Sequence, residues 1–344
     1  MNLSASAVDE NTLPHAGSER LVWIDAAKGF TIVLVVLGHT LGGVLSRGWL
    51  DPSGPGRKVY DYLYLFHMPL FFLLSGLLLI ESARTRPVAA LVSRVGSIVW
   101  PYLLWDAAIR WALLPFIGRY MGAPPEPSTT GELLTRAVNG ELSWFLWTLF
   151  LTQAILIGLA RLPPLMLFAA SVAVSVLSAG VPLGTIGYLI EFMPYLAAGA
   201  TLRPYMDRLR VSGTPLQFAG ALCVFAVMAA ALVLGWTALR PVKIACGLAG
   251  ALATIVLVQC LGHNFQNRVL AWLGTASLAI YVLHPYFQGA ARTVLTQMAV
   301  TSPLLQVTVV TLAAVAGSFA VWWVTDRLGA KWLFRIQFLR PRHG

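Results

Sequence analysis

The segment RLVWIDAAKGFTIVLVVLGHT, residues 20–40, sets Lys28 and His39 eleven residues apart. On a helix at about 100° per residue that spacing falls within about 20° of three full turns. The two side chains therefore share a face, roughly 16 Å apart along the axis. An imidazole titrates near neutrality and suits proton transfer. A hydroxyl attacking an acyl carbon must give its proton to a base, and the developing oxyanion needs a hydrogen-bond donor. His39 could be that base, or could carry an acyl group transiently. Asp25 could hold Lys28, and Lys28 could attract an anionic donor.

Other costly polar residues interrupt apolar stretches: His67, Asp106, Arg110, Glu191 and His284. Trp144 follows Glu141 and Ser143, and Tyr281 stands one turn before His284. His67, His284, Tyr281 and Trp144 could orient a substrate or donate hydrogen bonds, with Arg110 and Glu141 beside them. Arg94, Arg203, Arg208 and Arg210 could meet phosphates. Structural roles compete with each of these. Asp106 and Arg110 stand four apart, as an intrahelical ion pair does. Lys28 could snorkel to headgroups. His67 precedes Met68-Pro69 and His284 precedes Pro285, so either ring could bond a carbonyl freed at a helix break. Glu191 could pair with a neighbour.

The elements that must position these groups follow from composition. Hydrophobic residues make up 58% of the 344-residue chain and charged residues 11%; mean hydropathy is +0.73. Soluble domains carry about 25% charged residues, so a water-facing surface is excluded. Apolar runs near the roughly 20 residues of a helical crossing recur, and the alternation of a β-barrel does not. The expected fold is all-α: a polytopic integral membrane bundle of about ten transmembrane helices. They are expected near 24–46, 60–82, 94–118, 142–160, 163–180, 185–202, 214–237, 242–261, 269–288 and 302–325. Residues 1–22 read as a polar tail, 23–326 as a single membrane domain, and 327–344 as a basic amphipathic tail suited to an anionic membrane surface. The longest connection, 119–141, contains Pro124, Pro125 and Pro127.

With the N-terminus in the cytoplasm, fifteen Lys and Arg fall on the side of the termini and eight on the other, Arg110 lying within a helix. This asymmetry favours cytoplasmic termini and an even number of crossings. His39, His67 and His284 then fall in one layer, the outer half of the bilayer, with Trp144 near its outer edge. The net charge of +10 reports this topology; no soluble basic domain exists to bind nucleic acid. Cys223, Cys246 and Cys260 lie in apolar runs without a CxxC pair, which points to packing rather than a disulfide framework or a metal site.

The chain resembles the membrane acyltransferase-3 family, and most its fucose 4-O-acetylase-like branch. The resemblance rests on residues 20–40 together with FHMPLFFLLSGLLL (66–79), SRVGSIVWPYLLW (93–105), SWFLWTLF (143–150) and LGTASLAIYVLHPYF (273–287). These motifs occur in order across most of the chain, and their combination is specific. The family's basic-x10-His element falls on Lys28 and His39, which implies a catalytic role for His39. The third-helix RxxR element keeps Arg94 but has Ser97 at its second basic position. The resemblance implies an enzyme of the bacterial inner membrane that moves an acyl group, usually from cytoplasmic acetyl-CoA, onto a carbohydrate or glycolipid hydroxyl, with no permanently bound cofactor. The competing expectations are a transporter or flippase and a non-enzymatic partner of the same fold. The absence of a visible internal duplication weighs against the transporter, and the presence of Lys28, His39 and His67 weighs against the non-enzymatic partner.

Overall fold

The computed structural model describes residues 22–109, 143–261 and 265–336, with a few isolated positions between 129 and 139. These residues form an all-helical bundle, and no strand occurs among them. Intrachain helical hydrogen bonds are the means by which a backbone satisfies itself in lipid. The helices are α1 (Val22–Leu45), α2 (Pro55–Thr85), α3 (Pro87–Arg94), α4 (Trp144–Gly158), α5 (Pro164–Leu177), α6 (Gly184–Leu202), α7 (Pro215–Val233), α8 (Arg240–Cys260), α9 (Phe265–Thr275), α10 (Ser277–Gln297) and α11 (Pro303–Arg327). Helix α3 continues into two π-helical stretches, Val95–Val99 and Tyr102–Ile109.

The membrane character is plain: six of these helices are long and apolar enough to cross a bilayer, or seven when the bent pair α9–α10 counts as one. That is fewer than the ten expected. Helices α4 and α5 are apolar but only 15 and 14 residues long, about 22 Å of rise against a hydrocarbon core of about 30 Å. Helix α6 carries Glu191 and an internal Pro194, which dilute its apolar signal.

Several boundaries differ from expectation for local reasons. Helix α2 begins at Pro55, five residues before the expected start, with proline in its first turn and an Arg57–Asp61 ion pair of 2.9 Å one turn on. Helix α7 stops at Val233 because Gly235 takes a left-handed φ of 75°. The expected helix 269–288 is two helices. The chain bends by 81° between α9 and α10, and α10 then runs on to Gln297. The bend has a packing cause. Gly29 of α1 lies against the Leu270 carbonyl, and Gly274 of α9 lies against the Asp25 carbonyl, so a β-carbon at either position would overlap backbone. Helix α9 is thereby pinned across the start of α1, and the chain must turn before it can run alongside α1 as α10.

A second crossing of the same kind joins α2 to α6, where Gly76 faces the Leu196 carbonyl and Gly199 faces the Leu73 carbonyl. Lipid offers no hydrophobic drive for helix association, so small residues that permit backbone contact do this work. Polar links add to it. Gln288 of α10 donates to the Val36 carbonyl at 2.9 Å and to Thr40 Oγ1 at 2.8 Å, and Thr311 of α11 donates to the same Thr40 oxygen at 3.1 Å. Such bonds average about 0.6 kcal/mol each; here they fix the register of α10 on α1.

Residues 331–336 of the C-terminal tail dock beside the stretch that continues α3. Trp100 and Trp105 donate their indole N–H groups to the Trp332 and Leu333 carbonyls, at 2.7 and 2.8 Å. Phe334 stacks on Trp105 with centroids 5.5 Å apart, and the Ile336 amide donates to the Gly96 carbonyl at 3.0 Å. Residues 337–344 lie outside the described residues, as does the N-terminal stretch 1–21.

Candidate active site

The ends of seven helices line a cavity of about 1050 Å³. It opens at the end of the bundle away from Val22 and Arg327. Its wall takes His39 and Gly43 from α1, Tyr64 from α2, Trp144 from α4, Glu191 from α6 and His284 from α10. The three residues expected from the first, fourth and ninth sequence segments thus meet in one space.

His39 is exposed, whereas the residues on either side of it, Gly38 and Thr40, are buried. Its exposure is to the cavity. The other two membrane histidines are buried, at 1% for His67 and 2% for His284. The His39 and His284 rings lie with centroids 5.0 Å apart. His284 Nδ1 sits 2.6 Å from the Tyr281 carbonyl. That is the carbonyl Pro285, lacking an N–H, leaves unbonded four residues back. A ring nitrogen facing a carbonyl must carry the proton, which leaves Nε2 as the acceptor in the neutral ring. The local break at Pro285 therefore sets the His284 tautomer. His67 Nδ1 bonds the Leu63 carbonyl, not the Leu65 carbonyl that Pro69 frees, so its ring is held by an ordinary turn of α2.

Tyr64 links these groups. Its ring packs edge-on to His67 at 4.6 Å, and Gly38 gives it room against α1, since a β-carbon there would meet Tyr64 Cε2 at 3.1 Å. Tyr281 does not line the cavity. Its hydroxyl lies 3.0 Å from Ser143 Oγ, bracing the start of α4 and with it the neighbouring Trp144. Trp144 stacks on Tyr188 at 4.6 Å and on Phe192 at 5.5 Å, forming an aromatic shelf at the cavity wall.

Glu191 confirms its structural alternative: it accepts from Lys243 at 2.5 Å and faces Arg240 at 3.5 Å. Both partners come from α8, so the pair ties two walls together. Sequence reasoning passed over Tyr64, Tyr188, Lys243, Arg47 and Arg292. The two arginines and Lys243 enter the sequence reading only through the charge asymmetry, although an arginine at an apolar helix position is a usable signal.

The remaining expected residues lie elsewhere. Lys28 and Asp25 form an ion pair of 3.8 Å near the start of α1 and do not line the cavity. Arg203 pairs with Glu81, and Arg208 lies over the Tyr205 ring at 5.4 Å. Both belong to the turn Arg203–Leu209 at the same end of the bundle as Lys28; Arg210 follows it. Arg94 is half-buried at the end of α3, and its Nε meets no acceptor among the described residues. Asp106 is buried. Arg110 and Glu141 lie outside the described residues.

An exposed imidazole in a polar-walled cavity, backed by a second imidazole of fixed tautomer, is an arrangement that can accept a proton from a bound hydroxyl. No solved structure matches the chain. The nodulation protein NolL of Sinorhizobium fredii is 34% identical over 146 residues, covering 41% of this chain and 37% of that protein. NolL of Mesorhizobium japonicum is 30% identical over 161 residues, or 44% of this chain and 39% of its own. The match thus spans about two fifths of the length of these relatives. The inner membrane protein YcfT of Escherichia coli is 27% identical over 307 residues, 77% of this chain and 79% of that one. The acyltransferase domain model matches residues 21–323, and the chain is therefore an integral membrane protein of the acyltransferase family.

Proposed function

We propose that this acyltransferase moves a short acyl group, acetyl in the simplest case, from a cytoplasmic acyl-CoA to a hydroxyl of a carbohydrate or glycolipid held in the cavity. The observation that carries this reading is the exposure of His39 to the cavity beside His284, 5.0 Å away. The Trp144–Tyr188 shelf supports a carbohydrate acceptor, because a flat aromatic face with polar groups around it matches the apolar face and hydroxyl rim of a sugar ring. With cytoplasmic termini, the cavity opens on the outer side of the inner membrane, where exported glycans are found.

In this scheme His39 takes the proton of the attacking hydroxyl. The oxygen bonds to the acyl carbon, the carbon–sulfur bond breaks, and the thiolate leaves with the electron pair. His284, its Nδ1–H committed to the Tyr281 carbonyl, positions His39 and offers Nε2 to share the proton. The donor's phosphates are assigned to the other end of the bundle. Arg94, with an unmet Nε, and Arg208 are favoured there over Arg203, whose charge Glu81 offsets. Lys28 lies at that same end, roughly 16 Å below His39, paired with Asp25.

The test is transfer of label from radiolabelled acetyl-CoA into glycan by membranes carrying wild type or His39→Ala at matched protein levels. Label incorporated by wild type alone supports the reading. Equal label with both removes His39 from the mechanism.

A further inference from the structure

Two ladders of side chains climb the cavity wall from the histidines outward. On α1 and the turn that follows it they are His39, Gly43 and Arg47; on α10 they are His284, Gln288 and Arg292. Each steps four residues at a time, which keeps the α10 ladder on one helix face. The helices run the same way, since Gln288 bonds Thr40 and Arg292 lies against Gly43. Arg292 therefore stands two turns, about 12 Å, outward of His284.

Arg292 is 7% exposed, and its Nε and Nη2 meet no acceptor among the described residues. A buried guanidinium without a counter-ion is costly. Its neighbours increase that cost. Arg47 is within electrostatic reach of it and donates to the Gly43 carbonyl at 3.0 Å. The acidic groups of the cavity wall are already engaged: Asp61 by Arg57, and Glu191 by Lys243 and Arg240. Gly43 accommodates the guanidinium, because a β-carbon at that position would collide with Arg292. Among the described residues, the wall thus holds a preformed cationic fork without a paired acid, set outward of the imidazoles.

We propose that Arg292 and Arg47 receive an anionic group of the acceptor, a carboxylate or a phosphate, carried about 12 Å from the hydroxyl to be acylated. The acceptor is then an anionic carbohydrate, and the fork sets which of its hydroxyls reaches His39. This assignment rests on the acyl-transfer reading of the same cavity.

The test measures binding to purified full-length protein in detergent, by calorimetry, of trigalacturonate, glucose 1-phosphate, neutral maltotriose and CoA. The expected result is at least about tenfold tighter binding of one anionic sugar than of maltotriose, the tighter one distinguishing carboxylate from phosphate. Arg292→Gln and Arg47→Gln should each lose most of that preference, and His39→Ala should keep it. Arg47 is exposed, so its variant tests the fork without disturbing the core. No anionic preference in wild type, or a preference untouched by both substitutions, overturns the proposal. Loss of CoA binding in the arginine variants, with sugar binding unchanged, gives the fork to the donor and overturns it equally. The two readings fail separately: acetyl transfer that His39→Ala abolishes, without anion preference, keeps the enzyme mechanism and removes the fork, whereas arginine-dependent anion binding without transfer does the reverse.

Discussion

The imidazole of His39 and the imidazole of His284 lie 5.0 Å apart, centroid to centroid, although their helices stand near opposite ends of the chain. Both line the cavity, but of the two only His39 is exposed to it. His284 is buried with Nδ1 committed to a carbonyl that a proline has left free. One ring is thus placed to react and the other to position it.

Loss of the reacting ring should be severe. General base catalysis contributes about 10²–10⁴ in rate, so His39→Ala is expected to lower acyl transfer at least 100-fold with normal membrane insertion. His284→Ala is expected to lower kcat about tenfold or more while leaving the acceptor KM within about twofold. Steady-state transfer kinetics on matched membranes check both; an unchanged kcat in His284→Ala would assign that ring to packing alone.

The aromatic shelf should act on binding rather than chemistry. Aromatic stacking is worth about 0.5–1.5 kcal/mol, so Trp144→Ala is expected to raise the acceptor KM by about two- to tenfold. Trp144→Phe, which keeps a stacking face against Tyr188, is expected to restore most of it. Saturation curves for the acceptor at fixed acetyl-CoA give the answer.

The glycine crossing between α2 and α6 has no room for a side chain. Gly76→Leu would drive a side chain into the Leu196 backbone, and overpacking of this kind costs about 1–3 kcal/mol or more. The detergent-solubilised variant is expected to unfold at a clearly lower temperature than wild type. Gly220→Leu on α7, where nothing lies within 4 Å, serves as the control and is expected to leave the midpoint unchanged.

The docked segment 331–336 should stabilise the stretch 95–105 that continues α3. Two indole–carbonyl bonds and one amide bond join them, each worth about 0.5–1.5 kcal/mol net. Truncation after Ala330 is expected to speed hydrogen exchange in residues 95–105, while exchange in α2 and α6 stays as in wild type. Exchange unchanged in 95–105 would show that the π-helical stretch holds itself.

The membrane fold, the helical class and the roles open to individual residues were legible in the sequence. Apolar runs with so few charges have one stable solution in lipid, and Lys28 with His39 fell on one face by spacing alone. Charge asymmetry placed His39, Trp144 and His284 towards one side, and the structure brings those three to one cavity. Periodicity reports which face a helix offers but not which neighbour it meets. The 81° bend between α9 and α10, the tail docked on the stretch that continues α3 and the fork of Arg292 and Arg47 therefore came only from the tertiary structure. Each depends on contacts between segments distant in the chain: glycines that let backbones touch, indoles that reach the carbonyls of a later strand of chain, and two helices whose register a shared threonine fixes. The sequence by itself determined what each helix could contribute; backbone contact at Gly29, Gly274, Gly76 and Gly199 decided which contributions share one space.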